Sequence, residues 1–335
     1  MKRNLIRTGA LMVLTGFIVA LFFTSCKKED NPIKFPNGSF PDTGLTALTE
    51  INSQYDDYNA NCYLLQDNVA LIFSSNRGTS GGKFDLIQSS VNFTWNQSTG
   101  LFSYDAAISN NTFLTALLSK ANTAGNDFGP YTMFSPVDGY EYLLLASENS
   151  SGDLDLYFLK NMPFFSGSLP TITGPLPATL LNTTGDDAYI SFNTRHDTAY
   201  YSSDSNGDFD IYLQKRPSEM DIATWLGGSY FPGTPVDSLN STGNDKCPFC
   251  FYKILVFTSD RPGGFGGFDI YYSLFKNGKW GSPINMGPDI NTQYNEYRPL
   301  IGTFSDYTNL LMIFSSDRPG GKGMFDLYFT GTTIE

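Results

Sequence analysis

Residues 255–272 read LVFTSDRPGGFGGFDIYY, in which an apolar strand, a turn rich in Asp, Pro and Gly, and a second apolar strand opened by Phe-Asp follow one another. Two such strands around a glycine-rich turn predict a β-hairpin, because glycine adopts the positive φ that tight turns require. The pattern returns as LIFSSNRGTSGGKFDLI (71–87), LLLASENSSGDLDLYF (143–158), AYYSSDSNGDFDIYL (199–213) and MIFSSDRPGGKGMFDLYF (312–329). Five similar hairpins indicate a repeat protein.

A second motif precedes each hairpin. Its copies are INSQYDD (51–57), ANTAGND (121–127), LNTTGDD (181–187), LNSTGND (239–245) and INTQYNE (290–296). The motif asparagines are 70, 60, 58 and 51 residues apart, which suits one four-stranded blade per repeat. The strand after each motif, such as Tyr189-Ile-Ser-Phe-Asn193, is expected to be the innermost one. The predicted fold class is all-β, a single five-bladed β-propeller of four-stranded antiparallel blades.

The last repeat lacks a fourth strand, since only six residues follow Phe329. Residues 44–51, ahead of the first repeat, resemble the stretches that end the other blades. We expect this N-terminal strand to complete the last blade, which closes the ring and removes an exposed sheet edge. Residues 43–335 are therefore predicted to form one domain. Residues 113–120 predict a short helix inserted after the first blade. Residues 216–225 predict a similar but smaller insertion.

The charge balance limits the partners. The chain has 33 acidic and 21 basic residues, which gives a formal charge of −12. Three of the basic residues lie within the first seven positions, so the rest of the chain is more acidic still. Because an acidic body is repelled by phosphates, nucleic acid is not expected as a partner. A single histidine, His196, excludes metal sites built from several imidazoles. The body is expected to be monomeric.

The first residues have the pattern of an export signal. Lys2, Arg3 and Arg7 precede an apolar run at residues 10–23, which is shorter than the ~20 residues of a membrane span. The run ends in LFFTSC (21–26), which resembles the lipobox of bacterial lipoproteins. The resemblance implies a signal peptide at 1–25, lipidation of Cys26 and a tether at 26–42. Lys27-Lys-Glu-Asp30 resembles outer-membrane sorting signals of Bacteroidetes lipoproteins, or else it is only a solvated tether that spaces the body from the bilayer. A lipid anchor in the outer membrane is expected, facing the periplasm or the cell surface.

The strings FTSDRPGGFGGFDIYY (257–272) and NEYRP (295–299) resemble TolB-type, WD-repeat-like propellers. The resemblance covers about residues 45–329. It implies a protein-interaction platform in the bacterial envelope.

Two acidic patterns are candidate sites. The motif carboxylates are expected to ring one mouth of the channel and to bind a cation or a basic loop, or else to satisfy backbone amides between blades. They are Asp57, Asp127, Asp187, Asp245 and Glu296. Alternate oxygen-bearing residues within one turn are typical of calcium loops, although the glutamate of an EF-hand is missing. They are Asp204, Asn206, Asp208 and Asp210, and Ca²⁺ is the only cofactor that the sequence suggests.

Cys247-Pro-Phe-Cys250 has redox spacing but lies where a strand is predicted, so its Cα atoms are too far apart for a disulfide. With Cys62, these cysteines are interpreted as buried strand residues.

The main functional hypothesis is a non-catalytic protein-interaction or binding scaffold, since no catalytic cluster stands out from the repeats. The alternative is a carbohydrate-binding or carbohydrate-active propeller. Hydrolysis would require paired carboxylates outside the repeat pattern, for which the candidates are Asp105, Glu141, Asp197, Asp221 and Asp306. Glycan binding would use exposed aromatic faces, for which the tryptophans are Trp95, Trp225 and Trp280. The expected partner is thus an envelope protein or a cell-surface glycan.

Overall fold

The computed structural model describes residues 32–62, 68–162 and 171–334. The predicted signal peptide, the predicted lipidation site Cys26 and the segment Lys27-Lys-Glu-Asp30 lie outside these residues. The described chain forms five antiparallel sheets arranged as the blades of a propeller, with a first short strand, β1 (Thr46–Ala47), that belongs to the last blade.

Each blade begins at the axis and ends at the rim. The innermost strands, which contact one another around the axis, are β2 (Asp57–Cys62), β6 (Asp127–Phe134), β10 (Asp187–Phe192), β14 (Asp245–Phe251) and β19 (Glu296–Gly302). The second strands are β3 (Asn68–Ser75), β7 (Glu141–Glu148), β11 (Thr198–Ser203), β15 (Ile254–Ser259) and β20 (Leu310–Ser316).

The third strands are β4 (Asp85–Asn96), β8 (Leu154–Asn161), β12 (Asp210–Lys215), β16 (Asp269–Lys276) and β21 (Asp326–Thr332). The outer strands of the first four blades are β5 (Leu101–Ile108), β9 (Ile172–Pro177), β13 (Thr234–Pro235) and the pair β17 (Lys279–Trp280) and β18 (Ile284–Asn285), both against β16. The predicted hairpins are therefore the second and third strands of every blade.

The ring closes as predicted. β1 pairs antiparallel with β21, with Thr46 opposite Phe329. The chain then turns inward, where Leu48 and Ile51 are 0% exposed. Closure leaves the last blade with four strands in the order β1, β21, β20, β19.

The end of the predicted tether is packed rather than free. Gly38 bridges to Tyr307, and Phe40 is 0% exposed. The Phe40 ring stacks on Tyr307 with centroids 4.0 Å apart. Burial of a phenylalanine contributes roughly 1.5–3 kcal/mol, so this segment helps to hold the first and last blades together.

The predicted insertion after the first blade is a helix, α1 (Thr112–Ala121). The Asn111 side chain accepts a hydrogen bond from the Leu114 amide and caps its N-terminus. Leu114, Leu117 and Leu118 are buried in a cluster shared by the first two blades. The second insertion contains α2 (Ile222–Leu226), capped by Asp221. Within the described residues, no helix has the length and apolar character needed to cross a membrane.

Candidate functional site

The motif asparagines join each blade to the next. The side chain of each asparagine makes two hydrogen bonds to one residue on the third strand of the preceding blade. It accepts from the backbone amide of that residue and donates to its carbonyl, as the backbone of a neighbouring strand would. The pairs are Asn52 with Leu327, Asn122 with Leu86, Asn182 with Leu156, Asn240 with Ile211 and Asn291 with Ile270, at 2.8–3.0 Å. The asparagines are thus occupied by structure.

The motif carboxylates are buried in these interblade loops. Asp57, Asp127, Asp187, Asp245 and Glu296 are each 0% exposed. Three of them bind an arginine from the hairpin turn of their own blade, with Nη2 to oxygen distances of 2.5 Å for Arg77–Asp57, 2.5 Å for Arg261–Asp245 and 2.8 Å for Arg318–Glu296. Each of the five carboxylates also accepts a hydrogen bond from the backbone amide four residues before it, at 2.5–2.8 Å. These hydrogen bonds support the backbone-satisfying alternative, while a role of the ring in binding stays a prediction.

Blades 2 and 3 carry Asn149 and Ser205 where the other turns have arginine. Burial raises the pKa of Asp187 to about 6. Hydrogen bonds from Ser203 and Thr183 favour the anion and oppose this rise, but burial has the larger effect. Burial raises the pKa of Asp127 in the same way. Among the described residues, neither of these two buried carboxylates forms a salt bridge with a guanidinium.

A β-bulge interrupts every innermost strand after its second residue, where the pairing register shifts. The third residue is left-handed in each case, with φ of 59° at Asn59, 56° at Gly129, 58° at Tyr189, 57° at Cys247 and 51° at Arg298. This backbone conformation costs L-residues energy, so packing around the axis must impose it.

The bulge residues fill the propeller axis. The hydroxyls of Tyr189 and Tyr297, from blades 3 and 5, meet at 3.5 Å. The guanidinium carbon of Arg298 lies 5.6 Å from the centroid of Tyr189, and Nη2 donates to the Pro130 carbonyl at 3.0 Å. A Cβ at Gly129 would come within 2.6 Å of the Tyr189 ring, so glycine makes room for it. Aromatic rings and one arginine therefore pack together at the propeller axis.

Six partly exposed aromatic side chains cover this plug at the end where the innermost strands begin. We call them the aromatic mouth: Tyr58, Phe84, Phe128, Phe268, Tyr297 and Phe325. Centroid distances from Tyr58 are 5.1 Å to Phe84, 5.8 Å to Phe128 and 5.5 Å to Phe325, and Phe268 lies 5.4 Å from Tyr297. Rings at these distances form one contiguous surface.

Two repeat positions supply the aromatic mouth: the residue after the buried carboxylate and the residue before the hairpin aspartate. Blade 3 carries Ala188 at the first position, and blade 4 carries Lys246. The Lys246 ammonium lies 3.7 Å from the centroid of Phe209 and 5.7 Å from that of Phe268. Burial lowers the pKa of Lys246, although nearby groups that include the Asp186 carboxylate act to raise it. The mouth is therefore aromatic with one cation at its edge.

Sequence reasoning missed the aromatic mouth although both positions lie inside the repeats. The Phe-Asp dipeptides of the hairpin motif indicate the start of a strand and do not by themselves indicate a surface. The second residue of each innermost strand is Tyr, Phe, Ala, Lys and Tyr in blades 1 to 5. This difference between the blades is the sequence signal that points to the aromatic mouth.

The structure also places the other candidates. In the predicted calcium loop, Asp204 accepts from the Asp186 amide at 2.7 Å and Asn206 donates to the Tyr212 hydroxyl at 2.7 Å. Burial and the charge of Asp208 raise the pKa of Asp210 to about 6. Among the described residues, no group of three or more His, Cys, Asp or Glu side chains is placed to hold a metal ion. Calcium binding at this loop stays a prediction.

The three cysteines at positions 62, 247 and 250 are unpaired. Cys247 and Cys250 are buried strand residues as predicted, whereas Cys62 is only partly buried. Burial raises the pKa of each thiol to about 12, so none is poised for redox chemistry.

The non-repeat carboxylates are dispersed. Asp221 caps α2, and Asp197 binds Asn193 in the turn after β10, at the end of the propeller opposite the aromatic mouth. The tryptophans do not contribute to the aromatic mouth either. Trp225 is 5% exposed and packs in the core, and Trp95 donates to the Phe35 carbonyl at 2.9 Å.

No protein-family model and no curated protein matches this sequence. Solved structures do share the fold. An endo-arabinase from Bacteroides thetaiotaomicron is 11% identical with a TM-score of 0.53, over 88% of this chain and 99% of that one. An α-L-arabinofuranosidase from Podospora anserina is 12% identical with a TM-score of 0.50, over 89% and 98%. An exo-β-1,3-galactanase from Phanerochaete chrysosporium is 13% identical with a TM-score of 0.50, over 89% and 64%.

These neighbours correct two expectations. The resemblance to TolB-type, WD-repeat-like propellers is wrong, since the similar structures are five-bladed glycoside hydrolases. The hypothesis of a non-catalytic protein-interaction scaffold is also contradicted, because the solved structures that share this fold include an endo-arabinase and an exo-β-1,3-galactanase, which are enzymes that act on carbohydrates. The physical reason is that Asp-Arg-Pro-Gly-Gly turns and repeated asparagines serve hairpin and blade geometry, which unrelated propeller families share. The chain has the five-bladed propeller fold that these glycoside hydrolases have.

Proposed function

We propose that this protein is carbohydrate-active and takes a glycan at its aromatic mouth. The observation that carries the proposal is the contiguous surface of six partly exposed rings from four blades. Aromatic rings that cluster and stay partly exposed to solvent are typical of a binding site. Sugar rings present C–H faces that pack on aromatic faces, while their hydroxyls need polar partners.

The asymmetry of the aromatic mouth supports the same ligand class. Lys246 places three N–H donors beside Phe209 and Phe268, where they can bind sugar hydroxyls or ring oxygens. Ala188 leaves the mouth without a large side chain at the equivalent position of blade 3. A five-fold symmetric structural element would repeat the same side chain, whereas one ligand bound across several blades requires different contacts.

The proposed cellular place follows from the sequence. Cys26 would carry a lipid that anchors the propeller to the outer membrane, where it would meet glycans at the cell surface. Replacing Cys26 by serine is expected to release the protein from membranes into the soluble fraction.

The test uses the whole propeller with linear arabinan, β-1,3-galactan and xyloglucan, followed by affinity electrophoresis and by release of reducing ends. Phe128→Ala and Lys246→Met are expected to weaken binding roughly tenfold or more, about 1.4 kcal/mol each. Phe231→Ala is the matched control, because Phe231 is 62% exposed but lies outside the aromatic mouth. If no glycan is bound, or if the control weakens binding as much as Phe128→Ala does, the proposal is wrong.

A further inference from the structure

A groove of about 590 Å³ lies between the third and fourth blades, at the end opposite the aromatic mouth. The turns after β10, β14 and β16 form its rim. We call it the blade 3–4 groove and define it by Tyr200, Lys215, Tyr252, Lys253, Lys279 and Trp280. Its volume is that of a small-molecule site, which commonly spans about 300–1,000 Å³.

One wall of the groove is aromatic. Trp280 is 5% exposed and donates from Nε1 to the Tyr200 hydroxyl at 3.2 Å, which satisfies its polar atom and fixes its ring. The Trp280 ring packs edge-on against Tyr200 and Phe275, with centroids 5.8 and 5.1 Å away. Tyr252 stands at the tip of the turn between β14 and β15 and is 66% exposed. A large exposed ring beside a fixed aromatic wall is suited to contact a flat ligand.

The charge of the groove is opposite to that of the protein. Lys215, Lys253 and Lys279 line it, and none of them forms a salt bridge among the described residues. Arg195 adds a fourth cation, paired with Asp197 at 3.0 Å, and the lining includes one carboxylate, Asp237. In a chain with formal charge −12, unpaired cations around one cavity create a local positive potential that attracts anions.

We propose that the blade 3–4 groove is a second binding site, separate from the aromatic mouth, for an anionic sugar chain. Its aromatic wall would contact the sugar rings, and the three unpaired lysines would bind carboxylate or sulfate groups carried by successive sugars. The carbohydrate part of this inference rests on the proposed function, whereas the anionic part rests on the charge of the groove alone. Lysine suits this task because its mobile ammonium can donate hydrogen bonds to anionic oxygens over a range of positions.

The experiment measures binding by calorimetry with an oligogalacturonide, a sulfated galacto-oligosaccharide, a neutral galacto-oligosaccharide and a poly-glutamate peptide. Lys253→Glu and Lys279→Glu are expected to weaken binding of the anionic sugars at least tenfold and to leave binding of the neutral sugar unchanged. Lys34→Glu is the control, since it changes net charge equally at an exposed lysine outside the groove. The two anionic sugars distinguish carboxylate from sulfate as the bound group, and tighter binding of either one supports the proposal.

A second variant tests the aromatic part. Tyr252→Asn removes the ring and keeps a residue that tolerates the φ of 53° at this turn. It is expected to weaken binding of the anionic sugars several-fold while leaving the melting temperature unchanged.

Two results would overturn the inference: equal affinity in Lys253→Glu and Lys34→Glu, or poly-glutamate binding as tightly as the oligogalacturonide. Phe128→Ala separates this failure from failure of the proposed function, because that variant affects only glycan bound at the aromatic mouth.

Discussion

The clearest physical test of the blade architecture is the pH dependence contributed by Asp187. Its pKa is raised by burial from 3.8 to about 6, so the folded state holds this proton more tightly than the unfolded chain does. Between these two values the folded state binds more protons, and stability therefore falls as pH rises through this window. The contribution is fully present below the unfolded pKa and is lost above the folded one.

Asp187→Asn removes the charge but keeps an oxygen that can accept from the Thr183 amide. At 1.36 kcal/mol per pKa unit, the wild-type protein should lose about 1.4 kcal/mol from this group between pH 5 and pH 8. The variant should lack that loss. Its stability relative to wild type is therefore expected to increase by about 1.4 kcal/mol over the same range, measured by urea unfolding at pH 5, 6, 7 and 8.

The matched control is Asp245→Asn in blade 4, where Arg261 lies 2.5 Å from the carboxylate and its side chain is 15% exposed. Removing one partner of a buried pair leaves the other unpaired and costs about 3–5 kcal/mol. Asp245→Asn should thus destabilise the protein at pH 8, whereas the effect of Asp187→Asn should become more favourable by about 1.4 kcal/mol between pH 5 and pH 8. Parallel pH profiles for Asp187→Asn and the wild type would refute the reasoning.

Three further outcomes are expected. Leu48→Ala, in the segment that closes the ring, should lower the unfolding free energy by about 2–5 kcal/mol in urea, and an unchanged midpoint would contradict the closure. Arg318→Met should cost about 3–5 kcal/mol by the same measurement, because it leaves Glu296 buried without its cation, whereas a neutral effect would show the pair to be dispensable. Cys247 and Cys250 should react with a thiol reagent only after unfolding, since burial raises both pKa values to about 12, and rapid labelling of the native protein would disprove their burial.

Much of the fold could be predicted because its signals are local and repeated. The hairpins are encoded by strand alternation around glycine turns, and α1 by an apolar periodicity with an asparagine cap. Ring closure by β1 followed from counting strands and from the cost of an open edge. Each of these inferences needed only a few neighbouring residues or the number of repeats.

The family resemblance misled because it used the same local signals. Arg261 and Arg318 occur in Asp-Arg-Pro-Gly-Gly turns because they bind the buried carboxylates Asp245 and Glu296. Such turns report how a blade is built and carry no information on the ligand.

The sequence by itself determined the number of blades, their strand order and the closure, since alternation, turn chemistry and spacing encode these directly. Only the tertiary structure decided which side chains meet at the two ends of the propeller. The aromatic mouth joins Tyr58 to Phe325, which are far apart in sequence. The left-handed bulge that follows the second residue of each innermost strand redirects side chains such as that of Tyr189, in a way that strand alternation does not predict. The physical reason is that a binding surface depends on relative orientation around the axis, which exists only once the ring has closed.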